Sequence, residues 1–271
     1  MPETTFYPDA NPESTSVDGG VGENHSHPEA LTWTEITGGV GNEAVDDENI
    51  SEVGFCSAYT AENQDKWLDL YRAIFLFDTS SIPDDAEIIS AIFSLYGESK
   101  VDDLNVLPNI NIYSSNPAIN TALASGDFDS LGSTPFCDTP ITYANWSITG
   151  YNDFTLNASG IAAISKTGIT KFGVRNANYD VAGVMPTWTN YKWSYLFFYD
   201  ADRGTVYKPK LVVIYSIVGG NPTINTEVKT FSGWEITLKG KRLLGYRPPH
   251  PRGSWGRTGI NYTNTERRKR W

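Results

Sequence analysis

This 271-residue sequence holds only two cysteines and two methionines. Cys56 and Cys137 match no zinc-binding spacing, so they either pair with each other or are both free thiols. The longest apolar run, about Leu211–Val218, is far short of the roughly 20 residues that a membrane-spanning helix needs. The N-terminal residues are acidic and lack an apolar stretch, so we expect no secretory signal peptide and no membrane insertion.

Aromatic residues, by contrast, are abundant. Together Tyr, Phe and Trp make up 13% of the chain, with 15 Tyr, 12 Phe and 8 Trp beside 24 Gly and 15 Pro. Aromatic and β-branched residues favour strands, whereas Gly, Pro, Asn and Ser favour the turns between them. We therefore predict an all-β protein of short strands joined by turns.

The strongest strand signal is Trp67–Phe77, whose second half is apolar on both faces, as expected for a central strand of a sandwich. The only helix signal begins at Asn157 or Ser159, which suit an N-cap, and ends at Gly168. We predict a two-sheet jelly-roll β-sandwich with one short helix. The other predicted strands are Thr4–Tyr7, Leu31–Thr37, Val53–Tyr59, Ile88–Tyr96, Asn109–Tyr113, Asp153–Leu156, Thr170–Val174, Tyr195–Tyr199 and Lys210–Tyr215.

The net charge of −11 is unevenly spread along the chain. After residue 216 there are 11 Lys and Arg against three Asp and Glu, a net charge of +8, so the preceding part carries −19. This division predicts a sandwich domain at 1–216 and a basic C-terminal extension at 217–271, extended or ordered on assembly. One hairpin is expected in the extension, Thr230–Leu238 with Arg242–Tyr246.

The basic extension is predicted to serve assembly, by contacting other copies of this chain or acidic neighbours. Nucleic acid is the less favoured partner, because the −19 body would repel a phosphate backbone. The residues assigned to assembly are Arg247, Arg252, Arg257, Arg267, Arg268, Lys269 and Arg270.

Acidic residues in predicted loops offer two kinds of chemistry. A polysaccharide hydrolase needs two converging carboxylates with different pKa values, and nothing in the sequence pairs any two of them. We therefore predict a protein that is not an enzyme. Oxygen-rich loops also suit Ca²⁺, and the N-terminal loop with Asp9, Glu13 and Asp18 is the candidate site for a structural calcium ion, without EF-hand spacing.

Aromatic residues near Asn- and Asp-rich loops are the candidates for glycan binding. Sugar rings present apolar C–H faces that stack on flat aromatic rings, while their hydroxyls form hydrogen bonds with polar side chains. The alternative is that half or more of these rings close the ends of the sandwich. The candidates are Trp146, Tyr151, Tyr179, Trp188, Tyr191 and Trp193.

Three segments resemble one known family. Tyr71–Tyr96, with its F-D-x-S-x-I-P turn between two apolar runs, resembles the signature of DNRLRE-type domains, which are jelly-roll modules related to the disaggregatase repeat. Leu156–Arg175 and Lys208–Tyr215 are similar to later parts of those domains. The resemblance covers roughly residues 3–216. It implies a jelly-roll fold and carbohydrate binding, because part of the group is classed as alginate-type carbohydrate-binding modules.

Stand-alone proteins similar to this one, with openings like FYPDANPESTSVDG, look like phage and metagenomic virion-associated proteins. The resemblance therefore implies a virion surface location, with an extracellular location as the alternative. We expect a non-catalytic structural and adhesive protein of decoration or fibre type that contacts glycan through its loops. The alternatives are a decoration protein that only packs against its neighbours, and a polysaccharide-binding module or polysaccharide-degrading enzyme component of a bacterium.

Overall fold

The computed structural model describes residues 1–26, 29–59, 64–217, 229–231 and 234–236. Contacts divide the chain into two units, Met1–Ser216 and Ile217–Trp271. Strands hold 43% of the residues and the helices are few and short, so the predicted all-β class is confirmed. The first thirteen strands are β1 Glu3–Phe6, β2 Asp18–Asn24, β3 Leu31–Thr32, β4 Glu43–Val45, β5 Ile50–Ser57, β6 Lys66–Asp78, β7 Ala86–Asp102, β8 Asn109–Ser114, β9 Ile141–Thr142, β10 Tyr151–Thr155, β11 Ile169–Asn176, β12 Trp193–Tyr199 and β13 Lys210–Ile217.

These strands form one curled antiparallel sheet. Its main order is β1-β13-β7-β12-β5-β6-β11-β8-β9, while β10 pairs with β7, and β2 to β4 extend it beside β6. The long strand β7, about 55 Å from end to end, pairs with β10 up to Tyr96 and with β12 from Gly97 onward. A Cβ atom at residue 97 would overlap the carbonyl oxygen of Ser147, so glycine permits this close approach. The separation into two jelly-roll sheets stays a prediction.

The central strand β6 contributes apolar side chains to clusters on both of its faces. Phe75 and Phe77 lie in the main core, where both pack edge-on against Phe93 of β7. Ile74 and Leu76 lie on the opposite face, in a second apolar cluster. The structure thus confirms the two-sided apolar character predicted for this strand.

The described residues include two α-helices, α1 Trp33–Thr37 and α2 Ala158–Ala162, where one was expected. The predicted strand over Leu31–Thr37 is wrong after its first two residues. The cause is a capping box, in which the Thr32 hydroxyl accepts a hydrogen bond from the Glu35 backbone and the Glu35 carboxylate accepts one from the Thr32 backbone.

The second helix begins after its expected N-cap, because the Asn157 side chain accepts hydrogen bonds from two backbone N–H groups of α2. It ends well before Gly168. The other helical turns are Ser125–Ser130 and Ala201–Arg203, both 3₁₀, and Ala177–Val181, a single turn of π-helix. None of the helices in the described ranges is long and apolar enough to cross a membrane.

The second unit contains a short antiparallel hairpin, β14 Lys229–Phe231 with β15 Trp234–Ile236. Both strands fall near or within the predicted strand Thr230–Leu238, so this segment forms a hairpin by itself and is not one continuous strand, while its pairing with Arg242–Tyr246 stays a prediction. The segment Arg242–Tyr246 and the seven basic assembly residues lie outside the described residues.

Candidate functional site

Both cysteines are buried free thiols, so the disulfide alternative is excluded. Burial raises the pKa of each thiol to about 12, which keeps Cys56 and Cys137 protonated and unreactive.

Trp146, the first aromatic candidate, is not a surface residue. It is 2% exposed and packs edge-on against Phe198 in the main core, with ring centroids 6.2 Å apart. Its prediction as a glycan-binding residue is wrong, because this ring closes the apolar core and offers no face to a ligand.

Tyr179 and Trp188 are half-buried and fasten loops to the body of the domain. The Tyr179 hydroxyl donates to the carbonyl oxygen of Val106 at 2.7 Å, and the Trp188 indole N–H donates to that of Lys66 at 2.9 Å. Both rings also pack against the second apolar cluster. Their polar ends are therefore already engaged within the protein.

Tyr191 and Trp193 form a surface cluster together with Tyr59, which was not among the residues predicted from the sequence. The rings of Tyr59 and Tyr191 stack at 3.7 Å between centroids, and Trp193 meets Tyr191 edge-on at 5.6 Å. Tyr59 is 43% exposed and Tyr191 39%. We call these three residues the aromatic platform.

The platform is fixed by an unusual backbone conformation. Tyr191 has a φ of +47°, a left-handed value that bulky residues rarely adopt. Hydrogen bonds to the end of β5 hold it there: the Tyr191 N–H donates to the carbonyl oxygen of Ala58 at 2.9 Å, and the Lys192 N–H donates to the Ser57 hydroxyl at 2.9 Å. Such conformations persist only where the surroundings impose them, and they occur often at functional sites.

Tyr151 lies in a different cluster, which we call the tyrosine patch and which comprises Tyr96, Tyr151, Tyr199, Tyr207, Arg203 and Lys210. The ring centroid of Tyr96 is 5.2 Å from that of Tyr151 and 4.9 Å from that of Tyr207. Tyr199 ends the strand that Trp193 begins, so about 20 Å of β12 separates the patch from the platform. The six aromatic candidates therefore do not form one binding face.

The three predicted calcium ligands, Asp9, Glu13 and Asp18, have different surroundings in the structure. The Asp9 carboxylate already accepts four hydrogen bonds from the backbone and hydroxyl groups of Ser14 and Thr15, at 2.7–3.0 Å. Although partial burial opposes the change, these donors lower the pKa of Asp9 to about 2. Throughout the described ranges, no three His, Cys, Asp or Glu side chains are placed to hold a metal ion. The calcium ion therefore stays a prediction.

Asp18 instead lies beside Asp200, which was not predicted from the sequence. Both are 2% exposed; Asp18 accepts a hydrogen bond from the Ala201 backbone at 2.9 Å, and Asp200 accepts one from the Ser51 hydroxyl at 2.6 Å. Burial raises the pKa of Asp18 to about 8. Burial and the neighbouring Asp18 raise the pKa of Asp200 well above its usual value.

A cavity of about 220 Å³ opens beside this pair and is lined by Glu43, Glu48, Glu52 and Tyr71 among others. Glu43 accepts hydrogen bonds from the Tyr71 hydroxyl at 2.7 Å and from the Asn24 amide at 2.8 Å. Burial, reinforced by the neighbouring carboxylates, raises the pKa of Glu52 to about 7. Two carboxyl groups with contrasting environments therefore line one cavity, a pairing that comes from different strands and was invisible in the sequence.

No protein-family model matches the sequence, and a comparison with curated proteins finds no match. Among solved structures, the chain has a distant likeness to BuGH86, both as wild type and as a point variant, each in complex with neoagarooctaose. Each is 9% identical to this chain with a TM-score of 0.21, over 79% of this chain. The chain spans 31% of their length. A likeness this distant assigns no activity to the chain, so its function has to be inferred from its own residues.

Proposed function

We propose that this chain is a non-catalytic glycan-contacting protein and that its aromatic platform stacks on sugar rings. The observation that carries this proposal is Tyr191, a bulky residue held in a left-handed backbone conformation while 39% of its surface stays exposed. A strained backbone costs about 1–3 kcal/mol, and the chain gains no buried core from a ring so exposed. A binding role accounts for both features.

The platform also has the chemistry that sugars need. Stacked and edge-on rings give a rigid surface that loses little conformational entropy when a ligand binds. Exposed Thr189 and Asn190 precede Tyr191 and supply polar groups within the same loop. A sugar laid against the rings would meet hydrogen-bonding groups at its hydroxyls.

The experiment is a glycan array with the full chain, followed by calorimetric titration of the best ligand against Tyr191→Ala and Trp193→Ala. Removing a stacking ring should weaken binding about tenfold, which corresponds to about 1.4 kcal/mol. Tyr7→Ala is the matched control, because Tyr7 is also an exposed tyrosine, at 46%, but lies outside the platform. An equal loss in the control, or no glycan bound by the wild type, would contradict the proposal.

We also propose a location for the chain, and this part of the proposal rests on the resemblance to DNRLRE-type domains. The chain is then a structural and adhesive protein displayed on a virion surface, as a decoration or fibre-type component. Immunogold labelling of purified particles with an antibody against the chain tests this location, and labelling confined to the particle-free supernatant would contradict it.

A polysaccharide-degrading role is the second candidate, and the carboxylate-lined cavity favours it. Glu43 is held by two hydrogen-bond donors while Glu52 has a pKa raised to about 7, and such a contrast suits a base and a general acid. Product release from polysaccharides, abolished in Glu52→Gln, would support this candidate. Intact polysaccharide after prolonged incubation would eliminate it.

A further inference from the structure

The tyrosine patch differs from the platform in what covers its rings. The Arg203 guanidinium lies 5.1 Å from the ring centroid of Tyr199 and 5.7 Å from that of Tyr207, and the Lys210 ammonium lies 3.9 Å from that of Tyr151. These cations occupy ring faces on which a sugar would stack. The patch therefore presents positive charge on an aromatic base.

The cations of the patch have no acidic partner among the described residues. The ion pairs that Lys and Arg side chains form within the described ranges include neither Arg203 nor Lys210. The buried guanidinium groups of Arg72 and Arg175, by contrast, both bind Asp180 at 2.7 Å. Such positive charge on a domain of net charge −19 marks this surface as distinct from its surroundings.

An acidic surface lies directly beside the patch. Tyr199 pairs with Ile50 in the ladder between β12 and β5, and the Asp200 N–H donates to the carbonyl oxygen of Asn49 at 3.1 Å. Exposed Asp47 and Glu48 immediately precede this contact, and Glu48 also lines the carboxylate-lined cavity. A positive half and a negative half thus adjoin on one face.

We propose that this face is the interface of a twofold dimer, in which the tyrosine patch of one copy meets Asp47 and Glu48 of the other. A twofold axis requires a self-complementary surface, because each residue contact occurs twice. Adjoining halves of opposite charge meet that requirement. Tyr and Arg are also the residues enriched at the centres of protein interfaces, and Val206, 69% exposed beside the patch, adds apolar area.

The dimer leaves the aromatic platform accessible, because the platform lies at the other end of β12. Dimerisation would then double the number of platforms in one particle and raise the avidity for a repeating glycan. Self-association is nonetheless independent of glycan binding, so either can fail without the other.

The test is sedimentation velocity on the full chain over a range of concentrations at low ionic strength, with Lys210→Glu and Glu48→Lys measured separately and mixed. Each variant alone places like charges opposite each other at two symmetric positions, so its dimer dissociation constant should rise at least tenfold. The mixture restores both charge pairs and should form a heterodimer near wild-type affinity. Lys192→Glu is the control, since it makes the same charge change close to the platform.

Several outcomes would overturn the proposal. These are a wild type that stays monomeric, a dimer that Lys210→Glu leaves intact, and variants that do not recover on mixing. The competing explanation is that the patch binds an anionic glycan. Adding a soluble anionic polysaccharide such as polygalacturonate to the wild type tests it. If the wild type binds this polysaccharide, Lys210→Glu binds it more weakly and no dimer forms, the patch is a glycan site and not an interface.

Discussion

Asp180 and Asp200 are both buried carboxylates, 4% and 2% exposed, yet their surroundings are opposite. Asp180 receives paired hydrogen bonds from the guanidinium groups of Arg72 and Arg175, at 2.7–2.9 Å. Asp200 has the Ser51 hydroxyl on one oxygen, no hydrogen-bond partner among the described residues on the other, and the carboxyl group of Asp18 nearby.

The two sites show that burial alone does not decide the charge of a carboxyl group. Burial would raise the pKa of Asp180, but the two guanidinium groups lower it below its usual value, so this group stays ionised. At Asp200 and Asp18 burial is not opposed by a paired cation, and both pKa values rise. We therefore expect that the charged cluster around Asp180 stabilises the fold, and that the contribution of the protonated pair to the free energy of unfolding depends on pH.

The largest effect is expected at the charged cluster. Asp180→Ala would leave two buried guanidinium groups without their partner, and breaking a buried pair in this way typically costs about 3–5 kcal/mol. Urea denaturation at pH 7 measures it. Glu87→Ala removes an exposed carboxylate of β7 and should change the free energy of unfolding by less than about 0.5 kcal/mol. Equal effects of the two substitutions on the free energy of unfolding would contradict the view that the charged cluster around Asp180 stabilises the fold.

An intermediate effect is expected at the protonated pair, and its sign depends on pH. Carboxyl groups with raised pKa values stabilise the fold fully below their unfolded pKa, near 4, and this stability is lost as pH rises towards the folded pKa, about 8 for Asp18. One retained proton lowers stability by about 1.4 kcal/mol per pH unit within that window.

Asp200→Asn sharpens this expectation, because the amide cannot ionise. Relative to the wild type, the variant should gain about 2–3 kcal/mol in unfolding free energy between pH 5 and pH 7. Denaturant titrations at pH 5, 6 and 7 measure how the free energy of unfolding changes with pH in the wild type and in the variant. Parallel curves would mean that Asp200 is ionised in the folded protein. A rise in wild-type stability on adding Ca²⁺ at pH 7 would mean that a cation, and not a proton, neutralises the pair.

Such pairings mark the boundary of what the sequence can predict. The strand β6 was predictable because its apolar run is local, whereas Asp18 meets the backbone of Ala201 across 183 positions of sequence. Trp146 and Tyr191 look alike in sequence, both being aromatic residues in polar loops, and only the folded sheet makes one of them core and the other surface. Helix α1, by contrast, had a local signal, the Thr32–Glu35 capping box, which its strand-like composition obscured.

The smallest effect is expected at Asp9, which lies between the two extremes because its partners are neutral donors and not cations. Its pKa, lowered to about 2 by Ser14 and Thr15, means that its contribution is present above the unfolded pKa near 4 and is lost as pH falls towards 2. Asp9→Asn should cost about 1 kcal/mol at pH 7, comparable to the loss of a capping residue and reduced by solvent screening. The difference from the wild type should disappear in denaturant titrations at pH 2, whereas Asp85→Asn, an exposed aspartate of the turn before β7, should change little at either pH. A cost for Asp9→Asn that persists at pH 2 would show that the side-chain shape, and not its charge, holds the N-terminal loop.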